Sequence, residues 1–230
     1  MHPLDNVIWQ ALMTRQARFA ECFASARRFV PSVTLLSAFE RPTPEGYLSL
    51  ANLLDEGGTA AVFLDEPYQP RAGWDFVVGA PLLQMVCENG STTLESSNVE
   101  ILELGPADSP EMLDLTALTK PGPFGPRTHE LGFYVGIRQS GKLVAMAGER
   151  LKVSGHTEVS AVCTRPEYLG KGYARVLMLE IMRGIRQRGE IPFLHVRQDN
   201  IRAVQLYERL GFRTRKVTHF AVLRRAENVA

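Results

Sequence analysis

Residues 158–174 read Glu-Val-Ser-Ala-Val-Cys-Thr-Arg-Pro-Glu-Tyr-Leu-Gly-Lys-Gly-Tyr-Ala. The chemistry this stretch offers is anion binding. A β-branched, alternating run meets a Pro-containing turn, then Gly170 and Gly172, then a helical pattern. Small residues let the backbone come close to a ligand, and N–H groups left unpaired in the first helical turn point at it. A diphosphate suits such a turn. Two common phosphate loops do not fit. A Walker loop needs Lys and then Ser or Thr after its second glycine, and Gly172 is followed by Tyr173. A dinucleotide fingerprint needs a small residue three positions after the second glycine, and position 175 is Arg.

Leu169-Gly170-Lys171-Gly172-Tyr173-Ala174 resembles the Arg/Gln-x-x-Gly-x-Gly/Ala cradle of the GNAT acyltransferase superfamily, which holds the pyrophosphate of acyl-CoA. A second stretch, Asn200-Ile-Arg-Ala203-Val-Gln-Leu-Tyr207-Glu-Arg-Leu-Gly211-Phe212, resembles that superfamily's Asn-x-x-Ala-x-x-Leu-Tyr-x-x-x-Gly-Phe motif. The two occur in the family's order, with a Pro192-Phe193-Leu194-His195-Val196 strand between them. The subgroup most resembled is the glycine N-acyltransferase-like C-terminal domain, and the match covers roughly the second half of the chain. One position departs: Leu169 stands where the family usually carries Arg or Gln.

The resemblance implies roles for particular residues. Backbone groups of Leu169, Gly170, Lys171, Gly172, Tyr173 and Ala174 would hold the diphosphate, with Lys171 and Arg175 supplying positive charge. Val162, Cys163 and Thr164 would offer backbone groups to the pantetheine arm. Asn200 and Ala203 would line the same ligand, and Tyr207 would give a proton to the departing thiolate. Glu158 would be the base that takes the amine's proton, its pKa raised by partial burial, with Glu149 in reserve. The implied co-substrate is acetyl-CoA, without a metal, and the implied reaction is acetylation of an amine by direct attack. The implied acceptor is a small-molecule amine or an amino acid. Two other readings stay open: acetylation of a protein lysine or N-terminus, and a non-catalytic acyl-CoA sensor.

Simple alternation sets Cys163 with Val159 and Ala161, away from the face of Glu158 unless a bulge intervenes. Cys163 then packs as a small hydrophobe. His156, His195 and His219 lack a partner at recognisable spacing and read as structural or solvated. Trp9 and Trp74 read as packing residues, with Trp74 also a candidate wall of an acceptor pocket.

The elements that must position these groups are legible in outline. Leu4 to about Phe29 carries a helical apolar pattern. A short helix follows over Glu45–Leu54, then a strand over Thr59–Leu64, a loop over Pro67–Gly73 and a strand at Phe76–Val78, with an ambiguous apolar segment after Pro81. Asn89-Gly90-Ser91 reads as a turn and Ser96-Ser97-Asn98 as a boundary. Beyond it, Val99–Leu104 reads as a strand. Ser109 is a candidate N-cap with Pro110 in the first turn, and Pro121–Pro126 is a loop placed to shape the acceptor side. Strands follow over Phe133–Arg138, Leu143–Val153 and up to the glycine turn. A helix ends at Gly189, a short strand covers Phe193–Val196, and a helix capped at Asp199 or Asn200 ends at Gly211. The last strand covers Val217–Leu223. The expected fold is α+β: a twisted mixed sheet flanked by helices, GNAT-like by the resemblance, over residues 98–230. A smaller α/β N-terminal domain precedes it over residues 1–97, by analogy a degenerate GNAT-like half.

Composition bounds the function. The chain has 230 residues, 45% hydrophobic and 22% charged, and a formal net charge of +1. That is ordinary for a soluble globular protein and predicts neither a nucleic-acid nor a membrane partner. Three separated cysteines fit neither a metal spacing nor a disulfide framework, so a cytoplasmic location is the expectation. A homodimer remains compatible with the sequence.

Overall fold

The computed structural model describes residues 2–89 and 99–227. Its centre is an eight-stranded sheet assembled from both ends of the chain. The elements are α1 (Val7–Met13), β1 (Ala20–Phe23), β2 (Ala26–Phe29), β3 (Ser37–Phe39), α2 (Pro44–Ala51), β4 (Thr59–Leu64) and β5 (Trp74–Val86). They continue with β6 (Leu102–Glu103), α3 (Ser109–Thr119), β7 (Tyr134–Gln139), β8 (Lys142–Val153), β9 (His156–Thr164) and α4 (Tyr173–Gln187). The chain closes with β10 (Ile191–Arg197), α5 (Ile201–Arg209) and β11 (Arg213–Arg225). Strands β1, β2 and β3 form a small separate sheet. The large sheet has the order β4-β11-β5-β10-β9-β8-β7-β6. Its β9–β10 junction is parallel, with α4 as the crossover that a parallel connection requires. This is the mixed sheet flanked by helices that the sequence predicts.

Alternation along the strands builds a core on each face. Val135, Val159, Leu194 and Val196 pack with Leu177, Ile181 and Ile185 of α4 and with Tyr207 of α5. Tyr134, Leu143 and Met146 face the other way, against Met112 and Leu115 of α3. Phe193, Leu151 and Val153 pack with Ile8 and Leu12 of α1.

Several sequence expectations change. The helix predicted over Leu4–Phe29 stops at Met13, and β1 and β2 form a hairpin in its place. Gln16 explains the stop: its side chain bridges β8, donating to the Arg150 carbonyl at 2.7 Å and accepting from the Lys152 N–H at 3.2 Å. Local helical periodicity loses to that long-range pairing. The segments on either side of Pro81 join into one strand, β5. Proline is accommodated because the β10 ladder begins only at Leu82; past it the Pro81 carbonyl accepts from the Gln198 N–H at 3.0 Å, and no ladder partner there requires an N–H from Pro81. Ser109 is the first residue of α3 rather than its cap, and its hydroxyl donates to the Pro126 carbonyl at 2.7 Å, tying the helix to the proline loop. The strand predicted over Val99–Leu104 narrows to Leu102–Glu103. The turn at Gly90-Ser91, and the domain boundary after position 97, lie outside the described residues. Strands from before and after that boundary share the one large sheet: β5 lies between β10 and β11. No helix among the described residues is long and apolar enough to cross a membrane.

Candidate active site

The parallel pairing of β9 with β10 is short. It covers His156 with Ile191, Thr157 with Pro192 and Glu158 with Phe193, and then ends. From there β10 continues its pairing with β5 as far as Arg197, and β9 continues with β8 as far as Thr164. Val159–Thr164 and Leu194–Arg197 therefore border a wedge. Extended backbone on the margin of such a wedge has hydrogen-bonding groups to offer a ligand. Val162, Cys163 and Thr164 all lie on this margin, and the Thr164 hydroxyl is buried without a hydrogen-bond partner.

The glycine turn stands just past the end of β9. Gly170 and Gly172 have φ of 82° and 78°, left-handed conformations that favour glycine. A Cβ on either would meet nothing within 4 Å. The space over the turn is open, and the first N–H groups of α4 have no helical carbonyl to donate to. Leu169 is 51% exposed, so its side chain leaves the backbone donors accessible. The Lys171 ammonium lies 4.9 Å from the Tyr168 ring centre. These residues fit an acyl-CoA diphosphate through backbone donors.

Tyr207 is buried in the core that carries α4 and α5. Burial, and to a lesser degree the neighbouring Cys163 thiol, push its phenol up to about 12. It therefore holds its proton at physiological pH. Asn200 caps α5, its side-chain oxygen accepting from the Ala203 N–H at 3.2 Å.

Two bulges shape β8 and β9. Glu149 pairs with Val159 and Lys152 with Thr157, so Arg150 and Leu151 both stand opposite Glu158. Met146 pairs with Cys163 and Gly148 with Ser160, leaving an extra residue in β9 beside Ala161, whose φ is 53°. This second bulge reverses the expected alternation. Ala161 and Cys163 pack with Tyr134, Met112 and Leu115, opposite the α4 face that holds Val159. Burial pushes the Cys163 thiol up to about 11, against a hydrogen bond from Thr119, so it is an unreactive packing group.

Glu158 is fully buried. Its Oε2 accepts from Arg150 Nε at 2.8 Å and from the Leu151 N–H at 3.3 Å. Its Oε1 accepts from Arg150 Nη2 at 2.8 Å and lies 2.7 Å from His195 Nδ1. Burial alone would raise its pKa, but the charge and hydrogen bonds of Arg150, with the His195 bond, outweigh it and hold the carboxyl down to about 2. The raised pKa expected from the sequence is thus corrected: a fixed guanidinium partner reverses the effect of burial. His195 is no solvated residue. It is buried, its Nε2 is 3.2 Å from the Gln84 side chain, and desolvation holds its pKa below the usual value. The sequence reading missed Arg150 and His195 because their link to Glu158 crosses three strands. Glu149, the reserve base, is buried and ion-paired to Lys152 at 2.7 Å and Arg188 at 2.5 Å. Trp74 packs in a separate core with Tyr47 and Leu50.

Comparison with known proteins shows which family shares this fold. The FR47-like protein family matches residues 134–221. An N-alpha-acetyltransferase RimI from Mycobacterium tuberculosis is 38% identical over 84 residues, 34% of this chain and 51% of the relative, so the match spans about half of that curated relative. The structure of a GNAT-family protein from Novosphingobium aromaticivorans superposes with a TM-score of 0.91 at 36% identity, covering 99% of this chain and 100% of that one. A GCN5-related N-acetyltransferase from Kribbella flavida shares the fold at a TM-score of 0.64 and 17% identity, over 98% and 97% of the two chains. The chain belongs to the GNAT family of N-acetyltransferases.

Proposed function

We propose that this protein moves the acetyl group of acetyl-CoA onto the amine of a small molecule or amino acid, by direct attack within the β9–β10 wedge. The observation that carries this reading is the wedge itself, with an open glycine turn past the end of β9 and the Tyr207 core on its α4 side. Acetyl-CoA supplies the activated thioester carbonyl. The protein's part is to hold the diphosphate on Gly170–Ala174, to offer the margin of β9 to the pantetheine, and to keep a phenolic proton ready. The amine nitrogen bonds the acetyl carbon, the carbon–sulfur bond breaks, and the thiolate takes the Tyr207 proton, which solvent returns. The amine's surplus proton leaves to water. Glu158 takes part as a fixed anion that orients Arg150 and His195. A pKa near 2 suits that role better than proton abstraction near neutrality.

The resemblance to the glycine N-acyltransferase-like subgroup supports a small acceptor. The RimI likeness supports a second reading, acetylation of a protein N-terminus, over the 84 residues it matches. We take the division near residue 98 as one of function: the later part holds the cofactor and Tyr207, and the earlier part completes the sheet.

A mass-spectrometric turnover screen with acetyl-CoA and a panel of amino acids, polyamines and peptides tests the proposal. Tyr207→Phe is expected to lower kcat by about 10²–10⁴-fold while acetyl-CoA still binds. Wild-type turnover by the variant would remove Tyr207 from proton donation. An absence of any acetylated amine would overturn the transferase reading.

A further inference from the structure

A second feature with unused polar groups lies across β9 from α4. A small, partly open pocket of about 10 Å³ is lined by Pro121, Gly122, Phe124, Tyr134, Arg150 and Ala161, among others. It has room for about one water-sized group. Two side chains line it with unused polar atoms. Tyr134 is 1% exposed, and its hydroxyl is buried with no hydrogen-bond partner. Arg150 is 7% exposed and commits Nε and Nη2 to Glu158. Its Nη1 has no hydrogen-bond partner among the described residues and lies 3.7 Å from where a Cβ on Gly122 would stand, at the pocket's roof. The fold holds both in place. The Tyr134 ring passes so close to Gly148 that an added Cβ there would come within 2.2 Å of it, and the β8 bulge turns Arg150 toward Glu158.

We propose that this pocket receives a carboxylate oxygen of the acceptor, between the Tyr134 hydroxyl and Arg150 Nη1, and that the acceptor is a free α-amino acid. The inference rests on the N-acetyltransferase reading above and names its substrate class. Position supports it. The pocket includes Ser160 and Ala161, just past the last β9–β10 pair at Glu158 and Phe193. A carboxylate seated there keeps its α-amine beside the wedge. Chemistry supports it as well. A guanidinium N–H and a phenol O–H both donate, and a carboxylate oxygen accepts both with charge assistance. An amide could offer its carbonyl oxygen there, but without the negative charge that strengthens a bond to a guanidinium. The Arg150–Glu158 pair presents its cationic end to the pocket, matching the anionic end of a zwitterion.

The test assays the wild-type protein with acetyl-CoA and the twenty standard amino acids, their α-amides, alanine-initiated peptides and amines without a carboxylate, all by mass spectrometry. The expected result is a free amino acid acetylated with kcat/KM at least about tenfold above that of its amide. Tyr134→Phe is expected to raise KM for that amino acid about tenfold with KM for acetyl-CoA unchanged. Amides or peptides acetylated as well as the free acids, or an unchanged amino-acid KM in Tyr134→Phe, would overturn the carboxylate assignment and leave the transferase standing. Acetylation of none of these compounds would overturn the transferase reading, and this inference with it.

Discussion

Glu158, Arg150 and His195 form one buried unit, and their titration sets a pH dependence of stability. The Glu158 carboxyl is held near 2 against an ordinary value of 4.5. Its stabilisation is therefore present above the unfolded value and lost as pH falls toward 2. His195 is held below 6.5 and stays neutral in the fold. Protonating it opposes folding, so its contribution is present above 6.5 and lost as pH falls through the window beneath. The two act in the same direction. The thermal midpoint should be level above about pH 7 and fall in two stages, the first beginning below about 6.5. His195→Gln should remove the first stage and keep the second. A wild-type midpoint level down to pH 4 would show that the histidine does not titrate as its burial requires. Tyr134 makes the opposite case. Burying its hydroxyl unpaired costs about 1–3 kcal/mol, so Tyr134→Phe should leave stability unchanged or raise it by about 1 kcal/mol. Denaturant unfolding would measure this, and a marked loss of stability would mean that the hydroxyl has a partner in the free protein.

At the scale of elements, the wedge depends on where pairing stops and the cradle on how α4 begins. Gly172 precedes the first residue of α4 at a positive φ with open space beyond it. Gly172→Ala should cost about 1–2 kcal/mol of stability from the left-handed conformation alone. It should weaken acetyl-CoA binding by tenfold or more, because the methyl group fills the approach to the backbone donors. Calorimetric titration with acetyl-CoA would read this, and unchanged affinity would move the diphosphate elsewhere. This element was legible in the sequence because its determinants are local. A strand, two glycines and a helix with Leu177, Ile181 and Ile185 on one face follow one another without interruption. The same local reading failed for α1, where Gln16 turns the chain toward β8, and at Cys163, where a bulge shifts the alternation. Bulges and strand-crossing hydrogen bonds leave no periodic trace in one strand's sequence.

At the scale of the molecule, a strand from the first half of the chain bridges two strands from the second. β5 pairs with β10 on one side and with β11 on the other. A fragment of residues 98–230 keeps the glycine turn and Tyr207 but leaves β10 with an unpaired edge and β11 with no partner strand, since β4 and β5 both lie before residue 98. That fragment should be insoluble or fail to bind acetyl-CoA, and adding residues 1–97 as a separate chain should restore binding. A fragment that is folded and binds by itself would show that the earlier residues are dispensable for the cofactor site.

Family, mixed sheet with flanking helices, glycine turn and the motif tyrosine could all be read along the chain. Each of those rests on residues close together in the chain, where spacing alone fixes which side chains share a turn or a face. The electrostatics around Glu158 arise from contacts between strands. Arg150 and His195 meet Glu158 from neighbouring strands, and that meeting holds the carboxyl down to about 2 where burial alone would raise it. Tyr134 and Arg150 likewise come to one pocket only because Gly148 admits a ring and a bulge turns a guanidinium. Burial and charge pairing act through space, and a linear pattern carries no distance between strands.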